Sequence, residues 1–266
     1  DFLNTGEWSK KAISEAKKYG AANVVASSED RNFTYAPTQD TWQLDPNAAY
    51  VHYTPNETIG GVEIFWTPEV GDVPLVADMS STILSRPIDV SKFGLIYAGA
   101  QKNIGPAGVT LVIVREDLLG QVVPGTPTMF DYKTHSDNDS MYNTPPTYGI
   151  YIAGLVFKLL KARGGLEAME KTNRLKAGLL YDHLDATDFY ASPVARENRS
   201  LMNIPFTLKD AALDEEFLKG AKAHNLVQLK GHRSVGGMRA SIYNAMPVEG
   251  VQALVDFMKE FETKHG

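Results

Sequence analysis

The sequence contains no cysteine among its 266 residues. This absence excludes disulfide bonds, zinc sites built on thiolates and cysteine nucleophiles. It is compatible with a reducing compartment such as the cytoplasm, where we expect the protein to reside. Acidic residues outnumber basic ones: the chain has 32 aspartates and glutamates and 26 lysines and arginines, so its formal net charge is −6. No overall basic field points to nucleic acid, so any anion-binding site must be local.

Long apolar runs are missing as well. The longest, from Ile150 to Leu160, is too short to cross a bilayer and contains Lys158, so it predicts a buried helix and no membrane span. The opening residues lack the basic start and apolar core of a signal peptide. There is no Walker-type or GxGxxG loop, and the histidines have no metal-ligand spacing. These absences argue against nucleotide binding and metal chemistry.

Apolar runs alternate with turn residues through the first part of the chain. Most runs are nearly continuous, which is typical of strands buried on both faces of a mainly parallel sheet. A helix is predicted over 7–19, where apolar residues recur at helical spacing before Gly20. The predicted strands cover 23–26, 50–53, 62–66, 75–77, 95–98 and 109–114. We therefore expect an α/β fold with this sheet at its centre.

The pattern changes after Thr144-Pro145-Pro146, where helices and separate strands follow. Helices are predicted over 150–160, 166–184 and 214–224, with a closing helix that begins at Pro247, and strands over 201–206, 227–229 and 238–242. We expect a large domain over residues 1–163 and a smaller α+β domain over residues 164–266.

Lys102 and Asp78 are the first candidates for chemistry. Lys102 lies among small residues after an apolar run, where desolvation would lower the pKa of its amine and favour a Schiff-base nucleophile. Asp78 closes another apolar run, and two parallel strands ending in these residues would share the ligand-binding edge of the sheet. Such a pair suits pyridoxal phosphate (PLP), whose ring nitrogen needs a carboxylate. An exposed turn for Lys102 and a helix N-cap for Asp78 remain the alternatives.

Two arginines form a third group. His232-Arg233 and Arg239 lie in a glycine-containing segment, and guanidinium groups there suit bidentate binding of a carboxylate or phosphate. Arg239 opens an apolar strand, so a partly buried charge at this position would need an anionic partner. Solvated loop charge is the alternative for each of them.

Three further features are weaker signals. The polar segments 53–58 and Asn143-Thr144 could donate hydrogen bonds to a phosphate or a ring oxygen, although such segments are more often simple turns. Trp8 could stack on a flat cofactor, but its helical spacing with Ala12 makes a core position the default expectation.

Several motifs, in this order along the chain, resemble the phosphoserine aminotransferase family. The resemblance runs from Trp8 to the C-terminus. The motifs are His52-Tyr53-Thr54-Pro55-Asn56-Glu57-Thr58, the segment from Asp78-Met79-Ser80-Ser81-Thr82 to Val90, the segment from Tyr97 to Gly108 around Gln101-Lys102-Asn103, Asn143-Thr144-Pro145-Pro146-Thr147, and Gly231-His232-Arg233 with Gly236 to Asn244.

The resemblance implies a PLP-dependent aminotransferase of fold type I. Such an enzyme has a large PLP-binding domain and a smaller C-terminal domain, and it forms a homodimer with active sites at the subunit interface. The implied reaction transfers the amino group of L-glutamate to 3-phosphohydroxypyruvate, giving O-phospho-L-serine and 2-oxoglutarate in serine biosynthesis.

The family pattern also implies roles for individual residues. Lys102 would form the Schiff base with PLP and move a proton, Asp78 would pair with the ring nitrogen, Trp8 would stack on the ring and Thr58 would lie beside it. Gln101 would hold the cofactor phosphate together with Asn143 and Thr144 of the other subunit. Arg239 would bind the substrate α-carboxylate, and His232 and Arg233 would bind the distal phosphate or carboxylate.

The sequence departs from the family in one respect. Family members carry a further N-terminal stretch, so we expect a sheet that is incomplete at its N-terminus and a PLP phosphate without its usual glycine-rich turn. Two alternatives follow. The chain could be a non-catalytic truncated fragment that no longer holds PLP, or another fold-type I aminotransferase with a different oxo-acid substrate.

Overall fold

A computed structural model describes all residues from 1 to 266. The strands are β1 (Phe2–Asn4), β2 (Val24–Ser27), β3 (Val51–Tyr53), β4 (Asn56–Glu57), β5 (Val62–Glu63), β6 (Leu75–Asp78), β7 (Leu95–Gly99), β8 (Thr110–Val114), β9 (Tyr190–Ala191), β10 (Asn203–Leu208) and β11 (Met238–Ser241). The helices are α1 (Glu7–Ala16), α2 (Tyr132–Asp137), α3 (Thr147–Ala162), α4 (Gly165–Asp185), α5 (Asp214–Ala223) and α6 (Val248–His265). None of these helices combines the length and apolar character that crossing a bilayer requires.

A six-stranded sheet forms the centre of the first part of the chain, in the order β2-β1-β3-β6-β7-β8. Every neighbouring pair is parallel except β7 and β8, which are antiparallel. The prediction of an α/β fold with a mainly parallel central sheet is therefore confirmed. Asp78 at the end of β6 pairs with Tyr97 on β7, so the carboxyl ends of both strands lie at one edge.

The two faces of this sheet are covered unequally. On β6 and β7 the side chains of Ala77 and Ile96 are buried, whereas the neighbouring Val76 and Tyr97 on the other face keep part of their exposure. That second face lines a groove of about 580 Å³ between α1 and the start of α2. The prediction that the strands are buried on both faces is wrong here, because an apolar run suits a partly covered face as well as a covered one.

The second part of the chain is built on an antiparallel sheet in the order β11-β10-β9. Helices α4, α5 and α6 pack on it around a core of 23 buried apolar residues between Ala177 and Phe261. Aromatic rings fill much of this core, and Phe206, Phe217 and Phe261 meet edge to face. A separate core of 19 buried residues, from Leu3 to Ala153 with Val194 added, belongs to the central sheet.

The helix predicted as buried over 150–160 is α3, which exposes Ile150, Leu155 and Leu159, so that prediction of burial is wrong. Three further predicted elements differ from the structure in their bounds or pairing. Of residues 62–66 only Val62–Glu63 form a strand, and it pairs with β4 in a separate hairpin outside the central sheet. Residues 227–229 form no strand, because Gln228 has a left-handed φ of 64° and pairing resumes only at Lys230. Helix α1 ends at Ala16, three residues before the predicted end.

Candidate active site

A polar cavity lies at the carboxyl edge of the central sheet. It holds Lys102 and Asp78 from the ends of neighbouring parallel strands, together with three other residues that the sequence predicts for the site. The complete lining is Trp8, Thr54, Asn56, Thr58, Asp78, Ser80, Ser81, Gln101 and Lys102.

Lys102 lies three residues beyond the end of β7 and is half-buried. Its Nζ donates a hydrogen bond to Thr58 Oγ1 at 2.7 Å and lies 5.7 Å from the centroid of the Trp8 ring. Burial lowers the pKa of the Lys102 amine, and Asp78 opposes this effect while Arg239 adds to it. An amine with a lowered pKa and a single hydroxyl partner is suited to act as a nucleophile.

Asp78 is the last residue of β6, and its Oδ1 accepts hydrogen bonds from Ser80 N at 3.0 Å and Ser80 Oγ at 2.7 Å. No α-helix follows before β7, so the helix N-cap alternative is wrong. Beside Asp78 on the same face of the sheet, His52 Nε2 lies 3.0 Å from the hydroxyl oxygen of Tyr97. Burial lowers the pKa of His52 to about 4, so this neighbour of the carboxylate is neutral at physiological pH.

The β4 strand and the residue that follows it connect the cavity to the second sheet. Asn56 Nδ2 donates to Ser81 Oγ at 2.9 Å and to Asn203 Oδ1 at 3.0 Å. The carbonyl oxygen of Thr58 accepts a hydrogen bond from Arg239 Nη1 at 3.3 Å. The turn after β6 and residues of β10 and β11 therefore meet at one short segment of chain.

Glu57 belongs to the site and is missing from the residues that the sequence predicts, because the pattern of 53–58 indicates a polar loop and the family resemblance points only to Thr58. The Glu57 side chain is fully buried, and its carboxylate accepts the backbone N–H groups of Trp8 at 3.0 Å and Ser9 at 2.9 Å. Gly6 at the N-cap of α1 has no side chain to cap the helix. The missing cap at Gly6 is the feature of the sequence that indicates this contact, since the free N–H groups of an uncapped helix start need an acceptor from another part of the chain.

Arg239 lies on β11 and is half-buried. Its Nη1 reaches the Thr58 carbonyl, while its Nε is buried without any hydrogen-bond partner. A partly buried guanidinium with an unused N–H group favours an anion beside it. Arg239 and Lys102 both contact Thr58, so an anion beside the guanidinium would lie near the amine.

Five predicted site residues are absent from the lining of this cavity: Arg239, described above, and four others. His232 and Arg233 are exposed on the loop before β11, where His232 Nδ1 lies 2.7 Å from Ser234 Oγ. Asn143 and Thr144 are exposed on the segment before α3. Their roles in binding stay predictions.

A family model described as "Aminotransferase class-V" matches residues 2–254, and the chain belongs to this class of enzymes. Within the class it belongs to the phosphoserine aminotransferases. The phosphoserine aminotransferase of Herminiimonas arsenicoxydans is 66% identical over the whole chain, which spans 73% of that relative. The phosphoserine aminotransferase of Pseudomonas aeruginosa is 61% identical, and the chain spans 74% of it. The predicted family resemblance is confirmed.

Solved structures agree with this membership. The phosphoserine aminotransferase from Bacillus circulans subsp. alkalophilus matches with a TM-score of 0.97 and 51% identity, over 99% of this chain and 73% of that one. A PLP-bound phosphoserine aminotransferase from Trichomonas vaginalis matches with a TM-score of 0.89 and 44% identity, over 97% of this chain and 74% of that one. The fold-type I architecture predicted from the motifs is confirmed.

Proposed function

We propose that the protein transfers the amino group of L-glutamate to 3-phosphohydroxypyruvate with PLP as cofactor, giving O-phospho-L-serine and 2-oxoglutarate. The observation that carries the proposal is the placement of Lys102 and Asp78 on neighbouring strand ends around one cavity. The names of the relatives support the substrate, and membership of the class supports the reaction.

The residues of the cavity fit PLP. The amine of Lys102 suits the aldehyde, the carboxylate of Asp78 suits a protonated ring nitrogen, and the indole of Trp8 suits the face of a flat ring. Thr54 Oγ1 is buried without a hydrogen-bond partner, so the cavity wall holds unused hydrogen-bonding capacity for a polar ligand. Gln101 lies at the same wall, where it could hold the cofactor phosphate.

When bound, PLP supplies a carbonyl group that accepts an amino group and a ring that withdraws electrons from the substrate α-carbon. Lys102 would hold the cofactor through its Nζ, and once the substrate amino group displaces it, the freed amine would move a proton to and from the α-carbon. Thr58 orients that amine through its hydroxyl, and Asp78 holds a proton on the ring nitrogen. Trp8 covers the ring and limits the access of water.

Arg239 binds the α-carboxylate of the substrate, and its buried, unpartnered Nε supports this role. His232 and Arg233 bind the distal phosphate of one substrate or the side-chain carboxylate of the other. Both substrates carry an anionic group at each end, which explains why an acidic protein concentrates arginines near this edge.

The proposal includes a homodimer in which Asn143 and Thr144 complete the phosphate site of the other subunit. The residues that follow them, at the start of α3, expose large apolar side chains: Tyr148 is 73% exposed and Tyr151 is 63% exposed. An apolar patch next to two predicted phosphate ligands supports a second copy of this chain as its partner. We also propose a cytoplasmic location and a division into domains 1–163 and 164–266, which the two separate cores support.

The test is a transaminase assay with purified protein, PLP, glutamate and either 3-phosphohydroxypyruvate or an oxo acid without phosphate. We expect 2-oxoglutarate to form with the phosphorylated substrate, and borohydride reduction followed by peptide mapping to find PLP on Lys102. Equal turnover of the unphosphorylated acid would favour another fold-type I aminotransferase. A melting temperature unchanged by PLP would favour the non-catalytic alternative.

A further inference from the structure

A buried carboxylate holds the first turn of α1 beside the cavity. Both oxygens of Glu57 are used there, one by the N–H of Trp8 and one by the N–H of Ser9. We propose that Glu57 is a positioning residue that sets the Trp8 ring over the cofactor site. The identity of that cofactor rests on the function proposed above.

The helix start is arranged to receive this carboxylate. Ser9 Oγ accepts the N–H groups of Thr5 and Gly6 at 2.9 Å each, and Glu57 accepts those of Trp8 and Ser9 in the first turn. A side chain at Gly6 would collide with Glu57, because an added Cβ would lie 2.6 Å from its Cδ. Charge-assisted hydrogen bonds at a helix N-terminus are strong, and here the accepting side chain is withdrawn from solvent.

Packing alone does not hold Trp8. Its side chain is 38% exposed, so the ring depends on the position of its backbone. Glu57 fixes that backbone, while the adjacent Thr58 holds the amine of Lys102. Two consecutive residues therefore set the distance between the ring of Trp8 and the amine, which is 5.7 Å here.

Glu63 is a natural comparison, because it belongs to the same hairpin and is also fully buried. Its carboxylate faces the other way, accepting the N–H of Leu201 at 2.9 Å and lying 3.4 Å from Arg86 Nε. Burial raises the pKa of both glutamates, and a cation, Arg86, opposes this effect only at Glu63. Replacing Glu63 therefore controls for the general cost of changing a buried carboxylate.

The experiment compares Glu57→Gln with Glu63→Gln. Glutamine keeps the shape but places an amide donor against a backbone N–H. Without cofactor, we expect hydrogen exchange at Trp8 and Ser9 to accelerate about 10-fold in Glu57→Gln, measured relative to amides of β7. With PLP, we expect its Kd to rise about 10-fold and the circular dichroism of its visible band to fall. Glu63→Gln should leave both quantities near wild type.

A double-mutant cycle with Trp8→Ala separates positioning from a general structural role. If Glu57 acts through Trp8, Glu57→Gln adds no further rise in the PLP Kd once the ring is gone. The proposal would be overturned if Glu57→Gln raised the PLP Kd as much in Trp8→Ala as it does in the wild type. It would also be overturned if hydrogen exchange at Trp8 and Ser9 were unchanged in Glu57→Gln. Should Glu57→Gln fail to fold, Glu57→Asp keeps the charge on a shorter arm and should give smaller changes in the same direction. If wild-type protein binds no PLP, the proposed function fails, and exchange at α1 still decides the anchoring role.

Discussion

Two lysines are withdrawn from solvent in this molecule, and each belongs to a different region. Lys176 on α4 is fully buried, and its Nζ donates to the carbonyl oxygens of Ile242, Tyr243 and Met246 at 2.9–3.0 Å. Lys102 at the edge of the central sheet is only half-buried and donates to one hydroxyl. An ammonium group has three N–H donors, so the first lysine is saturated and the second is not.

The difference shows what burial alone does not reveal. Burial lowers the pKa of both amines, yet Lys176 has every donor engaged by a backbone carbonyl oxygen. It joins α4 to the chain that follows β11. Lys102 keeps unused bonding capacity beside Asp78 and Arg239. A buried lysine is therefore a candidate for chemistry where its hydrogen bonding is incomplete, and a structural cross-link where it is complete.

The largest expected effect is the loss of transaminase activity when Lys102, and not Lys176, is replaced. Lys102→Ala should lower the rate of transamination by at least about 10³-fold, because it removes both the attachment point and the proton carrier. The fold should survive, since the variant loses one hydrogen bond at a half-exposed position. Steady-state kinetics and thermal unfolding measure the two quantities. Lys92→Ala, at an exposed lysine paired with Glu69, is the control. More than a tenth of wild-type activity in Lys102→Ala would contradict the assignment.

Lys176→Met should show the opposite behaviour. Three buried carbonyl groups lose their donor, and we expect the free energy of unfolding to fall by about 2–4 kcal/mol. Urea denaturation measures this change, and Lys161→Met at an exposed position of α3 should alter it by less than about 0.5 kcal/mol. Folded Lys176→Met should retain wild-type kcat. A large loss of kcat in Lys176→Met with an unchanged free energy of unfolding would show that Lys176 serves the reaction and not the fold.

The pH dependence of stability sharpens the comparison further. Burial lowers the pKa of Lys176 to about 8 from the ordinary 10.5. Between these values the folded chain has released a proton that the unfolded chain still holds, so unfolding takes up a proton. The stability of the wild type relative to Lys176→Met should therefore rise with pH in this window, by up to about 1.4 kcal/mol per pH unit. A difference that stays flat from pH 8 to pH 10 would show that Lys176 remains charged.

The smallest expected effect comes from giving Lys102 even fewer partners. Thr58→Val keeps the volume of the side chain and removes the hydroxyl that orients the amine. The loss of one hydrogen bond of about 1 kcal/mol predicts a 3- to 10-fold lower kcat with little change in the KM for glutamate. Thr110→Val, at an exposed position on β8, is the matched control. A kcat equal to that of the control would show that the amine needs no such partner.

Local patterns in the sequence predicted the central sheet and the strand ends that carry Asp78 and Lys102, because a strand is defined by a few adjacent residues. They failed for 62–66, where an apolar run belongs to a separate hairpin. Apolar composition specifies burial and leaves the pairing partner open.

The remaining parts of the site depend on contacts that no local pattern contains. Glu57 caps a helix 48 residues earlier in the chain through Ser9, and the sequence offers only the missing cap at Gly6 as a hint. The Nε of Arg239 without a partner could not be foreseen either. Whether a guanidinium is satisfied depends on the neighbours that folding brings to it.

The hydrogen bond between Arg239 and Thr58 spans 181 residues of sequence, and the bond between Asn203 and Asn56 spans 147. Translation delivers the chain from its N-terminus, and domains form as their residues emerge. The amine of Lys102 and the carboxylate of Asp78 are therefore made long before the guanidinium that completes the site. A nascent chain can therefore bring the lysine and the carboxylate together while it still lacks the guanidinium that we propose for the substrate α-carboxylate. Carboxylate binding is the later of these two properties that synthesis adds to the proposed site.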